Sequence, residues 1–457
     1  MAAEDGGSAR RQKAVVFFLT FFSYVMFHVS RKSFSAVKGE MSKEEWMESI
    51  FYAKSEQGKM YGLMDTLFMG FYAVGLYISG ILGDRHDLRK LLSAGMGITA
   101  LIMILFGAAA FANVHSLGFY AFLWALNGLI QSVGWPSNVA IMLAPGNWFS
   151  SRERGAVMGI WSGNACFGNI VGTAVIALLY NLISNKADAW RVAMIVSGAL
   201  VGLHTLLIWF FLQPSPATKR LSSDDVEDAQ CLLLKDDASP KGISFWRAWR
   251  IPGVIPYALS YACVKSVNYA LFFWLPFYLT VSLKMEDSTA DYFSMLYDAG
   301  QIFGGFLGGY ITDRMGMRTP TIVSMLAIVT CLLPSFHAAS KDGIGVLLFV
   351  SGFLLGGPAN LISTAISADL GTCPTLRGNT AALATVTGII DGTGSVGAAI
   401  VQYLVGYLAN CKTTPAGGQE CSWGPVFSLL EIGSVLSIVC LLPLLWKELH
   451  RQFRPQS

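Results

Sequence analysis

The chain has 457 residues; 53% are hydrophobic, 13% are charged, and the formal net charge is +3. Soluble globular proteins carry about a quarter charged residues, so most of this chain's surface must face something other than water. The composition therefore argues against an enzyme and predicts an integral membrane protein.

Twelve apolar runs are long enough to cross a bilayer, which takes about 20 residues of helix. Their hydrophobicity is continuous rather than alternating, which favours helices over a β-barrel. An all-α membrane protein with 12 transmembrane helices is the predicted fold class. The approximate bounds of the runs are 14–37, 62–83, 91–112, 117–145, 155–183, 189–212, 252–282, 288–312, 319–339, 343–369, 380–409 and 425–446.

The basic residues are unequally distributed between the two sides of the membrane. With the N-terminus placed inside, the inner segments hold roughly twenty Lys and Arg residues and the outer segments about nine. The positive-inside rule therefore predicts that both termini are cytosolic. The last outer loop contains Cys411 and Cys421, and the compartment that it faces permits disulfides, so these two cysteines are a candidate disulfide.

The longest polar stretch divides the chain into two parts of six runs each. It predicts an N-terminal half at 1–213, a cytosolic linker at 214–247 and a C-terminal half at 248–457. Within the linker, Asp228, Leu232 and Leu233 fit the acidic di-leucine pattern that lysosomal sorting adaptors read. An endoplasmic reticulum membrane or a lysosomal membrane is the expected location.

The two halves repeat each other. Residues 80–85 (Gly-Ile-Leu-Gly-Asp-Arg) match residues 309–314 (Gly-Tyr-Ile-Thr-Asp-Arg), and residues 134–138 match residues 356–360. Parallel repeats of this kind place a substrate site between the halves, near the bilayer midplane, and work by rocking one half against the other.

Lys265 and Arg31 are the charged residues that bear most on function. A charge at the centre of a spanning helix costs roughly 2.5–3.5 kcal/mol, so Lys265 is expected either in a buried ion pair or, as we prefer, at a phosphate site. Arg31 shares a helix face with Tyr24 and His28, because the spacings are four and three residues. That face suits a phosphoryl group, although Arg31 by counting alone also fits a snorkelling position near headgroups.

Further polar residues within the runs have two interpretations each. Asp391 either neutralises Lys265 or Arg31 or takes up a proton that drives transport. Asp65 and Asp298, near the outer ends of the second and eighth runs, are expected to act as gates or helix caps. Asn164 suits either a sugar hydroxyl or an interhelical hydrogen bond.

The two Gly-x-x-x-Asp-Arg loops resemble the signature of major facilitator transporters, which makes Asp84, Arg85, Asp313 and Arg314 candidate gating residues. More narrowly, segments 24–35, 127–138, 146–161 and 268–279 resemble the sugar phosphate exchangers of solute carrier family 37. The resemblance implies the major facilitator fold. It also implies a relation to bacterial antiporters that exchange organophosphates, such as a sugar phosphate or glycerol phosphate, for inorganic phosphate.

The chain departs from the bacterial antiporters at three positions. Those proteins carry a Lys, a His and an Arg where this sequence has Leu76, Ala165 and Asn268, and only Arg31 matches their pattern outright. Asn268 remains a candidate binding residue, since Lys265 lies about one turn earlier on the same run.

No cofactor or metal is expected. The Gly-x-Gly-x-x-Gly pattern at 392–397 lies in a membrane run, where it indicates helix packing rather than dinucleotide binding. The six histidines have no metal-ligand spacing.

An antiporter for phosphorylated metabolites and inorganic phosphate is the leading hypothesis. The expected partners are these anions, the lipid bilayer and an accessory membrane subunit, with no nucleic acid. A proton-coupled carrier of another organic anion and a non-transporting sorting or partner subunit are the alternatives.

Overall fold

Helices account for nearly all of the described chain. The computed structural model describes residues 2–43, 57–143, 148, 157, 160–214, 245–371, 381–413 and 419–452. In this part of the chain the only strands are β1 (Lys412–Thr413) and β2 (Gln419–Glu420), which pair as a short antiparallel hairpin.

The N-terminal half consists of the described residues before 215. A short break divides the fourth run, and side chains cap several helix starts; Asp87, for example, accepts hydrogen bonds from the backbone N–H groups of Arg89 and Lys90. The helices are α1 (Ala2–Met41), α2 (Gln57–Arg85), α3 (Leu88–Phe111), α4 (Leu117–Gln131), α5 (Gly134–Leu143), α6 (Asn164–Leu182) and α7 (Lys186–Phe211).

The described residues from 245 onward comprise the end of the predicted linker and the predicted C-terminal half. A 3₁₀ turn, Leu333–Ala338, extends α11, and a π turn, Ile362–Ile366, joins α12 to α13. The helices are α8 (Phe245–Ala248), α9 (Val254–Val281), α10 (Asp287–Met315), α11 (Thr319–Leu332), α12 (Ile344–Leu361), α13 (Ser367–Gly371), α14 (Ala381–Leu408) and α15 (Gly424–Gln452).

The predicted linker is described only at its edges. Helix α8 begins inside it, and residues 215–244, including the sorting-motif residues Asp228, Leu232 and Leu233, lie outside the described residues. The boundaries of the two predicted halves therefore stay predictions.

Ten helical segments in the described ranges are long and apolar enough to cross a membrane. The all-α prediction is confirmed, but the count of twelve spans is not. Helices α9 and α10 are 28 and 29 residues long and fall outside the ten. Polar side chains explain this, because α9 carries Lys265 and Asn268, and α10 carries several aspartates along its length.

The most extensive contacts between the two halves are those of α2 with α14, α6 with α10, and α1 with α9. Gly62 and Gly406 allow α2 and α14 to approach closely, since a Cβ on Gly62 would lie 3.0 Å from the Cα of Gly406. We use "distal end" for the end of the bundle where α1 ends and α2 begins, and "proximal end" for the opposite one.

Within the C-terminal half, small residues bring α10 and α12 together. A Cβ on Gly304 would lie 1.9 Å from the carbonyl oxygen of Phe353, whereas a Cβ on Gly309, on the same helix, would meet nothing within 4 Å. Gly304 is therefore required by the helix contact, and Gly309 is not.

We expect Gly304→Ala to lower the midpoint of thermal unfolding in detergent, because relieving the overlap costs about 1–3 kcal/mol. Gly309→Ala is the matched control and should leave the midpoint unchanged or slightly raised, since Ala is the better helix former. Equal midpoints for the two variants would contradict the packing that we describe for α10 and α12.

A charged site between the two halves

Arg31 lies inside the bundle and not at its surface. Its side chain is fully buried; Nε donates to Oε1 of Gln131 at 2.7 Å, and Nη1 lies 3.4 Å from Nε2 of His28. The guanidinium carbon is 4.5 Å from the ring centroid of Tyr72. Nη2 has no hydrogen-bond partner, and Arg31 makes no salt bridge with the residues described. The snorkelling interpretation is therefore wrong, because the guanidinium is inside the protein.

His28 connects Arg31 to the other half. Arginine has no acceptor, so Nε2 of His28 must accept from it, and the proton lies on Nδ1. This tautomer is assigned from the hydrogen-bond pattern: Nδ1 donates to Oδ1 of Asn169 at 2.8 Å. The amide nitrogen of Asn169 in turn donates to Oδ1 of Asp298 at 2.7 Å. A hydrogen-bonded chain thus runs from Arg31 through α6 to α10.

Lys265 forms the buried ion pair that was one of its two interpretations. Its Nζ donates to Oδ1 of Asp391 at 2.8 Å and to Oγ of Ser395 at 2.9 Å, both on α14. The side chains of Lys265 and Asp391 are 4% and 15% exposed. Of the two cations predicted for Asp391 to neutralise, Lys265 is the one that it contacts.

Tyr269 lies against both cations. Its ring centroid is 5.4 Å from Nζ of Lys265, and its hydroxyl interacts with the guanidinium of Arg31. Tyr24 contacts the same cluster, with its ring centroid 5.8 Å from the Arg31 guanidinium carbon and 4.9 Å from the His28 ring. Aromatic side chains therefore link Arg31 of the N-terminal half to Lys265 of the C-terminal half.

The two candidate asparagines have different environments. The amide nitrogen of Asn268 donates to Oε1 of Gln301 at 2.9 Å, and its oxygen accepts from the hydroxyl of Tyr297 at 2.8 Å. Asn164 is fully buried, and within the described part of the chain neither its amide nitrogen nor its amide oxygen has a hydrogen-bond partner. Because the Asn164 amide makes no hydrogen bond within the described part of the chain, it retains its full capacity to bind a polar group.

Lys32 is a residue that the sequence analysis missed. It is fully buried, and its Nζ donates to the carbonyl oxygen of Phe272 at 2.9 Å. Pro276 lacks the N–H that would normally bond to that carbonyl in a helix, so the oxygen is left for another donor. Ser35 donates to the same oxygen at 2.9 Å. Helix α1 thus satisfies a backbone group that a proline has freed in the other half.

Lys38 was missed as well. It forms a fully buried ion pair with Asp65, and its Nζ also donates to the carbonyl oxygen of Phe273 at 3.2 Å. Tyr24, His28, Arg31, Ser35 and Lys38 follow one another at spacings of four and three residues, so they occupy one face of α1. Extending the predicted face of Tyr24, His28 and Arg31 by two further turns reaches Lys38, and this is the sequence signal that points to it.

A second ion pair closes the distal end. Lys43 pairs with Asp287 at the start of α10 and, at 3.0 Å, with Glu40. Burial lowers the pKa of Lys43, but Asp287 and Glu40 outweigh that effect and hold it above its ordinary value. Lys43 joins the two halves through its bond to Asp287, so opening the distal end requires breaking this pair.

Among the proximal gating candidates, Asp313 and Arg314 make no such contact between the halves with the residues described. Asp313 and Arg314 are exposed; Asp313 lies 3.8 Å from Arg318, which pairs with Asp369 of the same half at 2.6 Å. The side chains of Asp84 and Arg85 lie outside the described residues. A gating role for these four residues stays a prediction.

The hairpin between α14 and α15 contains a disulfide bond. It joins Cys411 and Cys421, the pair that was the sequence-based candidate. The bond lies at the distal end, next to the position where Gly58 approaches Gly406.

Comparison with known proteins defines the class first. Residues 16–402 match the profile of the Major Facilitator Superfamily. The fold of a solved D-xylose–proton symporter is similar, with a TM-score of 0.67, 11% identity, and coverage of 94% of this chain and 97% of that one. The helical architecture and the buried charges between the halves are therefore those of a membrane transport protein.

Sequence comparison identifies the family. The chain is 39% identical to Sugar phosphate exchanger 3 of Homo sapiens, covering 95% of this chain and 93% of that protein. It is 35% identical to Glucose-6-phosphate exchanger SLC37A1 of Mus musculus, covering 96% and 93%. The chain belongs to the major facilitator superfamily and, within it, to solute carrier family 37, the sugar phosphate exchangers. The family predicted from the sequence motifs is confirmed.

The Lys265–Asp391 pair yields a prediction about stability. Replacing Lys265 with Met leaves a buried carboxylate without its partner, and breaking such a pair costs about 3–5 kcal/mol. We expect Lys265→Met to lower the thermal midpoint in detergent and the double variant Lys265→Met/Asp391→Leu to restore most of it. A double variant no more stable than the single one would show that the pair is not formed.

Proposed function

We propose that this protein is a secondary antiporter that exchanges a phosphorylated metabolite, a sugar phosphate or glycerol phosphate, for inorganic phosphate by alternating access. Membership of the sugar phosphate exchanger family supports the class of substrate. The observation that carries the proposal is the environment of Arg31, a fully buried cation with no carboxylate partner among the described residues.

Arg31 has the chemistry of a phosphoryl ligand. Guanidinium groups bind phosphate oxygens in a planar, bidentate manner, and here Nη2 makes no hydrogen bond with the residues described. Gln131 and His28 hold the other nitrogens, which fixes the orientation of the planar group. A buried guanidinium that is oriented but not neutralised binds an anion strongly, because the surrounding protein screens charge poorly.

Lys265 would be the second phosphoryl ligand, and its pairing with Asp391 changes how the site works. In the empty carrier Asp391 would neutralise one of the two cations, and Lys265 is the cation that has this partner. A phosphate dianion entering between Arg31 and Lys265 would therefore compete with Asp391 for the ammonium. The remaining uncompensated charge on Arg31 is what disfavours movement of the empty carrier and favours exchange.

The organic part of the substrate would bind through amides. Asn164 offers a donor and an acceptor without partners, and Asn268 lies on the same helix as Lys265, beside Tyr297. Such groups recognise hydroxyls by paired hydrogen bonds, and leaving them unpaired disfavours substrates that lack the hydroxyls.

The remaining assignments complete the proposal. The contacts of Lys38 with the Phe273 carbonyl oxygen and of Lys43 with Asp287 would open at the distal end, and Asp298 would separate from Asn169 in the same step. Cytosolic termini, residence in the endoplasmic reticulum or lysosomal membrane and an accessory membrane subunit are part of the same proposal. The ion pair of Asp391 with Lys265 gives that carboxylate a structural partner, so we do not assign it a transported proton.

The direct test is counterflow of labelled phosphate into proteoliposomes loaded with phosphate or glucose 6-phosphate. We expect Arg31→Ala to abolish counterflow. Arg31→Lys should reduce it at least about tenfold, because lysine keeps the charge but loses the bidentate geometry. Lys447→Gln, which removes an exposed charge on α15, is the matched control and should exchange like the wild type.

Each outcome of that experiment is informative. If the Arg31→Ala variant still shows counterflow, Arg31 is not a phosphate ligand, but the protein is still an antiporter. If monodisperse wild-type protein shows no phosphate exchange, that result contradicts the antiporter proposal and favours the non-transporting alternative.

Competition for Lys265 gives a second prediction. We expect Asp391→Asn to lower the phosphate concentration for half-maximal exchange by roughly tenfold, which corresponds to about 1.4 kcal/mol, because the competing carboxylate is gone. The measurement is the phosphate dependence of the counterflow rate. A weaker apparent affinity would mean that Asp391 assists phosphate binding instead of competing with it.

A further inference from the structure

Asp291, on α10, is a fully buried carboxyl group without a partner among the residues that the structure describes. Neither of its carboxyl oxygens has a hydrogen bond, and it makes no salt bridge with the residues described. The other two buried aspartates of this helix do have partners, since Asp287 pairs with Lys43 and Asp298 accepts from Asn169.

Asp291 lies between two contacts that hold the halves together. It follows Asp287 by four residues and precedes Asp298 by seven, so all three lie on one face of α10. Asp287 contacts Lys43 of the N-terminal half on the distal side. Asp298 contacts Asn169, also of the N-terminal half, deeper in the bundle. The face that carries Asp291 is therefore the face that separates when the distal end opens.

The two lysines near Asp291 already bind other groups. Lys43 is shared by Asp287 and Glu40. Lys32 donates to the carbonyl oxygen of Phe272, and its Nζ lies 4.0 Å from Oδ2 of Asp298. The charged groups that act directly on Asp291 are Asp287, which repels a negative charge there, and Lys32, which is already shared.

An ionised carboxylate in this position would be buried without compensation. Such a group takes up a proton in preference to remaining charged, because desolvating an isolated carboxylate costs far more than neutralising it. A hard metal cation is not an alternative, since it needs several oxygen ligands and the Asp291 oxygens have no polar neighbour within hydrogen-bonding distance.

We infer that Asp291 is a proton-binding site and that closing the distal end takes up one proton on this carboxyl group. Opening breaks the Lys43–Asp287 contact one turn away and admits water, so Asp291 ionises and gains access to Lys32. The closed conformation therefore binds one more proton than the open one. Lower pH favours closure and higher pH favours opening. The inference rests on the alternating access of the proposed function but not on the substrate.

The test measures opening of the distal end without any substrate. Thr280, on α9, is 8% exposed and lies where Gly39 of α1 approaches, so a cysteine there becomes reactive only when the end opens. We propose labelling Thr280→Cys with a membrane-impermeant maleimide in nanodiscs, with the protein lacking this cysteine as background. The exposed Ser340→Cys corrects for the pH dependence of the thiol reaction itself.

We expect the ratio of the two labelling rates to rise with pH, by up to about tenfold per pH unit, as linkage to one proton requires. Asp291→Asn should make the ratio low and independent of pH, because the amide is always neutral. Asp291→Glu, which retains a carboxyl group, should keep the rise of the labelling ratio with pH that the wild type shows. Asp287→Asn, the same substitution one turn away, should raise the ratio at every pH and retain the slope.

Two results would overturn the inference. One is a wild-type ratio that stays flat between about pH 5 and about pH 9, a range that covers raised carboxyl pKa values. The other is a labelling ratio that still rises with pH in monodisperse Asp291→Asn protein. Neither result bears on phosphate exchange, because no phosphate or phosphate ester is present, so this inference and the proposed function fail separately.

Discussion

A charge enclosed between helices must have a partner, and this requirement fixes how the helices pack within each half and at the interface. Lys265 has Asp391 within the C-terminal half, Lys38 has Asp65 within the N-terminal half, and the half-exposed Lys43 has Asp287 across the interface. In the low dielectric of a membrane protein interior, an uncompensated charge is costly, so each pair also fixes which helix faces meet. Arg31 is a fully buried cation without a carboxylate partner among the described residues, which is why we propose it as the site for an anion.

The distal end is closed partly by a backbone effect. Pro276 frees a carbonyl oxygen of α9, and no water is available in a membrane interior to satisfy it. Lys32 and Ser35 of the other half donate to that oxygen instead. A proline within one half thus creates an acceptor that only the other half can satisfy, and this contact is lost whenever the halves separate. Such a contact stabilises one conformation of the carrier relative to the other without involving the substrate.

Binding and closing are physically connected in this arrangement. The hydrogen bonds from Arg31 through His28 and Asn169 to Asp298 join the candidate phosphoryl site to the interface at α10. A ligand that reorients the guanidinium alters the acceptor of His28 and, through it, the contact between α6 and α10. Conversely, opening at Asp298 removes the acceptor that orients Asn169. This reciprocity is what alternating access requires of a carrier whose substrate lies between its halves.

The sequence by itself determined the membrane class, the helical architecture, the family and the identity of Arg31, Lys265 and Asp391 as unusual residues. These are local properties, because run length and the burial cost of a charge can be read without knowing what lies nearby. The pairing of Lys265 with Asp391 spans 126 residues, and that of Lys32 with Phe272 spans 240. Only the tertiary structure decided these partners, and the isolation of Asp291, because they depend on how packed helices are rotated about their axes. The polar side chains that keep α9 and α10 out of the apolar spans likewise have distant partners: Lys265 pairs with Asp391 within its own half, and Asp298 accepts from Asn169 of the other half.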